Sequence, residues 1–331
     1  MGKSTFVDYA FVIQPYLYIL ENPGIEVEWI YYSFELDRIS KEFDFATYFL
    51  YHDYNVQFIK LPDGITKGGQ DTIELSPDYL RGRLIDDNGE VIKVKPEIFE
   101  LIKQVYITRI IPLFGEFDSN GNLTKESKPL ITFIEQKDNP TGIYKDLKKK
   151  AETEGSFIKS GPNNRIIGYK SRKPEKVTII IMDHLRKLIP ERGWQMKQTV
   201  DKMIEYMVEL RNWCGYTFVP IIHTNRNLAS VDRVRFAKQQ LYPTSDDIKD
   251  TGNLAEDADF VFTMFNPNDD RYNLTEHFQL KLKDSRNNKL YPNLRTIHLV
   301  ESRHSHFPEH FKVDMFGNYK NFKQVDIKTT N

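Results

Sequence analysis

Gly2-Lys3-Ser4 stands just before a stretch able to form a helix, Phe6 to Leu20, and matches the end of a phosphate-binding loop, G-x-x-x-x-G-K-[ST]. In such a loop, backbone N–H groups at a helix start wrap the phosphates. The Lys ammonium bridges the outer phosphates and the hydroxyl binds Mg²⁺. The triplet alone is common by chance, and its place before a helix is what singles it out. Asp183 closes the run Val177-Thr178-Ile179-Ile180-Ile181-Met182, the most hydrophobic in the chain. A carboxylate at the C-terminal tip of a buried parallel strand lies where nucleotide sites form in open α/β sheets, and it can hold Mg²⁺ through the metal's water shell. Glu35, in Tyr31-Tyr32-Ser33-Phe34-Glu35-Leu36, ends another apolar strand. A carboxylate beside metal-bound phosphates can orient and deprotonate an attacking water. Taken singly, the same residues also fit an ordinary chain start, a turn residue and a surface carboxylate.

These side chains need a scaffold of strands and helices, and the sequence supplies one. Val27 to Tyr32 reads as a buried strand, Asp37 to Tyr51 as a helix, and Leu130 to Glu135 as a strand. Gly142 to Glu154 reads as a helix whose Lys145, Lys148, Lys149 and Lys150 form a solvated face. A helix from Gly193 to Trp213 places Val200, Met203, Ile204, Met207 and Leu210 on one side, with Gly215 at its stop. Strands follow at Thr217 to Ile222, Phe260 to Phe265, Phe278 to Leu282, Thr296 to Val300 and Phe311 to Met315. Pro15 is expected to bend or shorten the first helix. Two hairpin signals, Asp87-Asn88-Gly89 and Asn120-Gly121, lie in a middle region of weaker periodicity, with a helical stretch from Pro96 to Tyr106 between them. Buried strands alternating with helices indicate an α/β domain with a largely parallel sheet that continues antiparallel at its end.

Composition narrows the class. The chain has 331 residues, 46 Lys+Arg against 47 Asp+Glu, and 22 Phe and 18 Tyr. So many aromatics exclude a disordered chain. The balanced charge excludes a protein held to DNA by bulk electrostatics, but leaves room for a local basic loop. Cys214 is the only cysteine, so neither an intrachain disulfide nor a cysteine zinc cluster is available. Tyr9 to Leu20, broken by Gln14 and Pro15, is too short to span a bilayer, and Asp8 spoils a signal-peptide reading. The expectation is a soluble protein of the cytoplasm with no membrane partner. His304-x-His306 with His310 has spacing able to bind a transition metal, but without cysteines or a carboxylate pattern an exposed loop is the better reading.

Taken together, the motifs resemble those of DnaB-type replicative helicases. Ser33-Phe34-Glu35-Leu36 is similar to that family's Ser-Leu-Glu-Met. Ile180 to Leu185 is similar to its Walker B strand, which ends in Asp-Tyr-Leu. His223-Thr224-Asn225-Arg226 parallels Gln-Leu-Asn-Arg. Asp247-Ile248-Lys249-Asp250-Thr251-Gly252-Asn253-Leu254-Ala255-Glu256-Asp257-Ala258-Asp259 is the strongest match, to Asp-Leu-Arg-Glu-Ser-Gly-x-Ile-Glu-Gln-Asp-Ala-Asp. Ser302-Arg303-His304 resembles the Lys-x-Arg segment bearing the arginine finger. The motifs keep family order from residue 2 to residue 303.

The resemblance implies a RecA-like P-loop NTPase core, a mostly parallel sheet flanked by helices, with a hairpin-rich insertion at 53–176. It implies ATP and Mg²⁺ as cofactors, single-stranded DNA as partner, and a homo-oligomer, a hexameric ring, that meets a primase or helicase loader. Carried over by position, Gly2, Lys3, Ser4 and Thr5 would bind nucleotide, with Lys3 on the β/γ-phosphates. Ser4 and Asp183 would hold Mg²⁺, Glu35 would activate water and His223 would sense the γ-phosphate. Arg303 would reach the neighbouring subunit's nucleotide. Arg226, Lys249, Asp250 and Gly252 would line the DNA channel, and the stretch with Arg233, Arg235 and Lys238 would form a second channel loop.

The sequence also departs from the pattern. The first half of the phosphate loop and the strand before it are missing, with Met1 at the variable position before Gly2. An internal methionine taken as the start, or a truncated fragment, is the simplest account. His223 replaces Gln, Glu301 replaces Lys, and Glu35 and Asp183 are 148 positions apart, which fits a lineage-specific insertion such as a phage replication module carries. Two other functions stay open: a RecA-like recombinase or DNA-dependent ATPase that does not unwind, and a catalytically dead DNA-binding module.

Overall fold

The computed structural model describes residues 2–224, 228, 230–248, 253–303 and 309–325. The first helical segment is one rod in three parts: α1 (Lys3–Val7), a π-helical stretch (Asp8–Ile13) and α2 (Gln14–Glu21). Pro15 does not end the rod. Its ring crowds the carbonyl four residues back and it has no N–H to give, so the helix widens ahead of it. The carbonyl of Phe11 instead accepts a 2.7 Å hydrogen bond from the buried Trp29 indole.

The chain then forms β1 (Val27–Ser33) and α3 (Arg38–Tyr54), the latter capped by Asp37, whose side chain accepts from Ser40 N at 2.6 Å. The 53–176 region contains β2 (Phe58–Lys60), β3 (Thr72–Glu74), α4 (Pro77–Leu80), α5 (Pro96–Val105), a second π-helical stretch (Tyr106–Ile110) and α6 (Ile111–Phe114). It continues with β4 (Ile131–Ile134), α7 (Pro140–Glu154), β5 (Gly155–Ser160) and β6 (Arg165–Ser171). The Asp87-Asn88-Gly89 and Asn120-Gly121 turns are closed by the single bridges Ile85–Val91 and Phe117–Leu123. On the lysine face of α7, Lys145 and Lys149 are exposed while Lys148 and Lys150 are half-buried. Lys150 pairs with Glu28 at 2.8 Å and with Glu154 at 2.8 Å, and Lys148 lies over the Tyr144 ring.

Beyond it come β7 (Val177–Asp183), α8 (Met196–Cys214), β8 (Thr217–Ile221), α9 (Val231–Ala237), α10 (Asn253–Asp257) and β9 (Phe260–Phe265). Then follow β10 (Glu276–His277), β11 (Leu280–Lys281), β12 (Leu294–Ser302), β13 (Glu309–Phe316) and β14 (Asn321–Gln324). The central sheet is parallel, in the order β4-β1-β7-β8. Strand β7 is β-branched and buried on both faces, as a strand inside a helix-covered parallel sheet must be. Helices α1 to α6 cover one face, in a core with Trp29, Tyr31, Phe45, Phe49 and Ile181; α7 and α8 cover the other, with Ile30, Ile180, Leu147, Val200, Met203 and Leu210.

Two expectations are corrected here. The antiparallel strands form their own sheet, β14-β13-β12-β9, and among the described residues no strand joins it to β8. Phe278 to Leu282 is not one strand. Phe278 and Gln279 take positive φ (42° and 64°), which turns the chain between β10 and β11.

A buried charge network locks the first helical rod to both sheets. Asp8 accepts from Tyr31 Oη at 2.8 Å and from Lys41 Nζ at 2.8 and 3.0 Å. Lys320, in the turn between β13 and β14, reaches Asp8 at 3.3 Å and Asp44 at 3.0 Å. Asp8 and Lys41 are wholly inaccessible. Burial raises the Asp8 pKa, but the Lys41 and Lys320 ammonium groups and the Lys41 and Tyr31 hydrogen bonds outweigh it and hold the carboxyl below its ordinary value.

Candidate active site

The parallel register aligns the ends of three strands. Ser33 of β1 is opposite Asp183 of β7, which is opposite Ile221 of β8. Two residues past two of those tips stand Glu35 and His223, and one past the third stands His184. Ser33 Oγ donates to Leu36 O at 2.6 Å and Phe34 N to Asp183 O at 2.9 Å, which fixes the turn that presents Glu35. Helix α1 packs against β8 and brings Lys3 and Ser4 to the same ends. Gly2 precedes it with φ 108°, and a Cβ there would lie 2.6 Å from Met315 Sδ and 2.9 Å from Met264 Sδ.

The side chains converge. Lys3 Nζ donates to His223 Nδ1 at 2.9 Å. Burial lowers the Lys3 pKa against the pull of Asp183 and Glu35. Asp183 is buried, 3% exposed, and burial raises its pKa against the nearby Lys41 charge and a hydrogen bond from the Ser4 hydroxyl. His184 Nε2 faces Glu35 Oε1 at 3.2 Å, its Nδ1 accepts from Arg186 N at 3.3 Å, and Lys187 Nζ lies 3.7 Å from Glu35 Oε1. The His184 and His223 rings meet edge to face with centroids 4.3 Å apart. Burial lowers both pKa values, that of His223 to about 4 with help from Lys3, so both rings are neutral at pH 7.

Lys3, Ser4, Asp183, Glu35 and His223, expected on sequence grounds, thus meet at one end of the sheet. Thr5 follows on α1, half-buried. Arg303 stands apart at the end of β12. Its guanidinium donates to Glu256 O, lies 4.0 Å from Asp259 Oδ1, and its N donates to Asp259 O at 3.0 Å. Arg226, Lys249, Asp250 and Gly252 lie outside the described residues, as do His304 and His306. Thr224, directly after His223, bridges Ile248. Arg233 pairs with buried Asp247 and donates to the Tyr242 carbonyl at 3.3 Å. His184 was not singled out from sequence. Its signal was its position directly after Asp183, where the similar family has Tyr.

The donor set suits a magnesium nucleotide. A hydroxyl and a carboxylate brought together at the strand ends, Ser4 and Asp183, offer the hard oxygen ligands Mg²⁺ takes. A half-buried ammonium beside them suits phosphate, and Glu35 carries an exposed carboxylate at their edge.

No family model matches the sequence, and no curated protein is significantly similar to it. Solved structures are. A DnaB-like replicative helicase, described with its interactions with primase, aligns over 92% of this chain and 53% of its own, with a TM-score of 0.53 and 11% identity. The fold is similar to that of this helicase's RecA-like domain. A second solved structure, of an isolated ATPase domain, aligns over 92% of this chain and 76% of its own, also with a TM-score of 0.53 and 11% identity. The chain therefore spans about half the length of the DnaB-like helicase it matches. At such identity the RecA-like fold is shared while almost every side chain has changed, and the chemistry rests on the residues themselves. Among the described residues no helix is long and apolar enough to cross a membrane.

Proposed function

We propose that the chain is the ATP-hydrolysing motor domain of a DnaB-type DNA helicase, working in the cytoplasm. It translocates on single-stranded DNA as a ring of copies, a hexamer, and meets a primase or loader. The observation that carries this reading is the convergence of Lys3, Ser4, Asp183 and Glu35 from three separate stretches of sequence onto the C-terminal ends of β1 and β7. Bound Mg²⁺ would neutralise charge that develops on the transferred phosphoryl group. In this assignment Gly2 to Thr5 form the helix-start phosphate site, and Lys3 leaves His223 for the outer phosphates. Ser4 and Asp183 would hold the metal, and Glu35 takes the proton of the attacking water. His223, released from Lys3, reads the γ-phosphate. Arg303 belongs to the nucleotide of the neighbouring copy, which ties hydrolysis to assembly. The segments holding Arg226, Lys249, Asp250 and Gly252 track the DNA backbone, so binding is weakly sequence-dependent and falls steeply with salt. Residues 53–176 are carried as an insertion-bearing part of this one domain.

The test is strand separation on a forked duplex with ATP and Mg²⁺, alongside ATP turnover on single strands. Unwinding that requires ATP and is lost in Arg303→Ala supports the reading. ATP turnover without unwinding moves the assignment to a DNA-dependent ATPase.

A further inference from the structure

The two histidines that set this site apart also build something new. Glu35, His184 and His223 each offer a ligand atom, and the three atoms lie within 4.8 Å of one another. Glu35 Oε1 and His184 Nε2 are 3.2 Å apart. Bonds of about 2.0–2.1 Å to a tetrahedral zinc ion put neighbouring ligand atoms roughly 3.3 Å apart, so that pair already has ligand spacing. The third group needs only a side-chain adjustment, because His223 is exposed and follows the end of β8.

We propose that Glu35, His184 and His223 form a binding site for a divalent transition-metal ion of the zinc class, separate from the oxygen site of Ser4 and Asp183. Two imidazoles and one carboxylate are the donor set such ions prefer, whereas Mg²⁺ takes oxygen ligands. A three-ligand site leaves a position open for water or a phosphate oxygen.

Occupation rearranges the site in a defined way. His184 ligates through Nε2 with its proton on Nδ1, giving up the 3.3 Å bond from Arg186 N. His223 gives up its bond from Lys3 whichever nitrogen it uses. Taking Nδ1 displaces the ammonium directly, and taking Nε2 leaves an N–H facing it. The metal therefore engages the carboxylate at the site's edge and frees Lys3. Its consequence, inhibited hydrolysis, rests on the proposed ATPase, but binding itself does not.

The experiment is titration of the tag-free protein with Co²⁺ in the absence of nucleotide and Mg²⁺, read by the visible absorption of cobalt bound to nitrogen and oxygen ligands. Zn²⁺ then competes. One equivalent of Co²⁺ should bind, and be displaced by Zn²⁺. His223→Gln and Glu35→Gln should each weaken binding by more than about tenfold, the loss that even an outer-shell partner gives. Both side chains are exposed, so these variants keep the fold, which circular dichroism verifies; buried His184→Ala is the third arm. His304→Asn with His306→Asn should bind as the parent does. No cobalt uptake, or uptake unchanged by His223→Gln and Glu35→Gln, overturns the proposal. Saturating Zn²⁺ in an ATPase assay is a separate reading. If cobalt binds but no ATPase exists in any condition, the metal site stands and the motor assignment falls.

Discussion

Replacing Asp8 by Asn should be among the costliest single changes in the chain, for a reason visible in its partners. Asp8 receives both Lys41 contacts, at 2.8 and 3.0 Å, in a pocket where neither side chain meets water. At an effective dielectric of about 20, a unit pair 2.8 Å apart is worth about 6 kcal/mol, an upper bound on the loss. Removing one partner of a buried pair costs about 3–5 kcal/mol, because the other charge is stranded. Asp8→Asn strands Lys41, while Lys320 keeps Asp44 at 3.0 Å. Lys41→Met is gentler, because Asp8 retains Lys320 at 3.3 Å and the Tyr31 hydroxyl at 2.8 Å. That change should cost about 1–3 kcal/mol. Urea unfolding followed by circular dichroism measures both, with unchanged m-values as the check on two-state behaviour. The double variant should recover part of the Asp8→Asn loss, with a coupling of about 1–3 kcal/mol. If Asp8→Asn costs less than about 1 kcal/mol, or Lys41→Met costs more than Asp8→Asn, the network does not hold the helical rod as described. The Asp8 pKa is held below 3.8, so its contribution is complete above that value and is lost as pH falls through the folded value.

Further outcomes follow from the same geometry. Gly2→Ala should destabilise by about 1–3 kcal/mol, since φ 108° strains any L side chain even after the two methionine sulfurs yield, and thermal unfolding measures it. Burial lowers the pKa of His277 to about 4 and of His298 to about 3, from 6.5. Below pH 6.5 the unfolded chain takes up protons that the folded chain refuses, so stability falls with falling pH by about 1.4 kcal/mol per pH unit per group until each folded value is reached. His298→Gln, measured by urea unfolding between pH 7 and 5, should remove about one group's share of that slope.

Much of the central sheet was legible because its strands carry their own signal. Val177 to Met182 is β-branched and ends in a charge, so both the strand and the position of Asp183 could be read before any contact was known. Gly2-Lys3-Ser4 could be placed because a helix follows directly. What required three dimensions was mostly pairwise. His184 and Glu35 are brought to 3.2 Å by the register of β1 on β7, which no local pattern encodes. Lys41 on α3 is buried against a carboxylate thirty-three residues earlier, which also meets a lysine from the far end of the chain. Pro15 read as bending or shortening its helix because its relief lies elsewhere, in the Trp29 indole that takes up the Phe11 carbonyl. Phe278 to Leu282 looked like one strand by composition, but Phe278 and Gln279 at positive φ turn the chain ahead of β11.

The most direct test of the account is phosphate release from ATP with and without single-stranded DNA, comparing the parent chain with Glu35→Gln. The account predicts turnover that rises with DNA and falls by about 10²–10⁴-fold in the variant, the share a general base supplies, while ATP binding persists in both. Turnover in Glu35→Gln equal to the parent's would contradict the assignment of Glu35. A parent that binds DNA and ATP but never releases phosphate, with or without DNA, would contradict the motor itself.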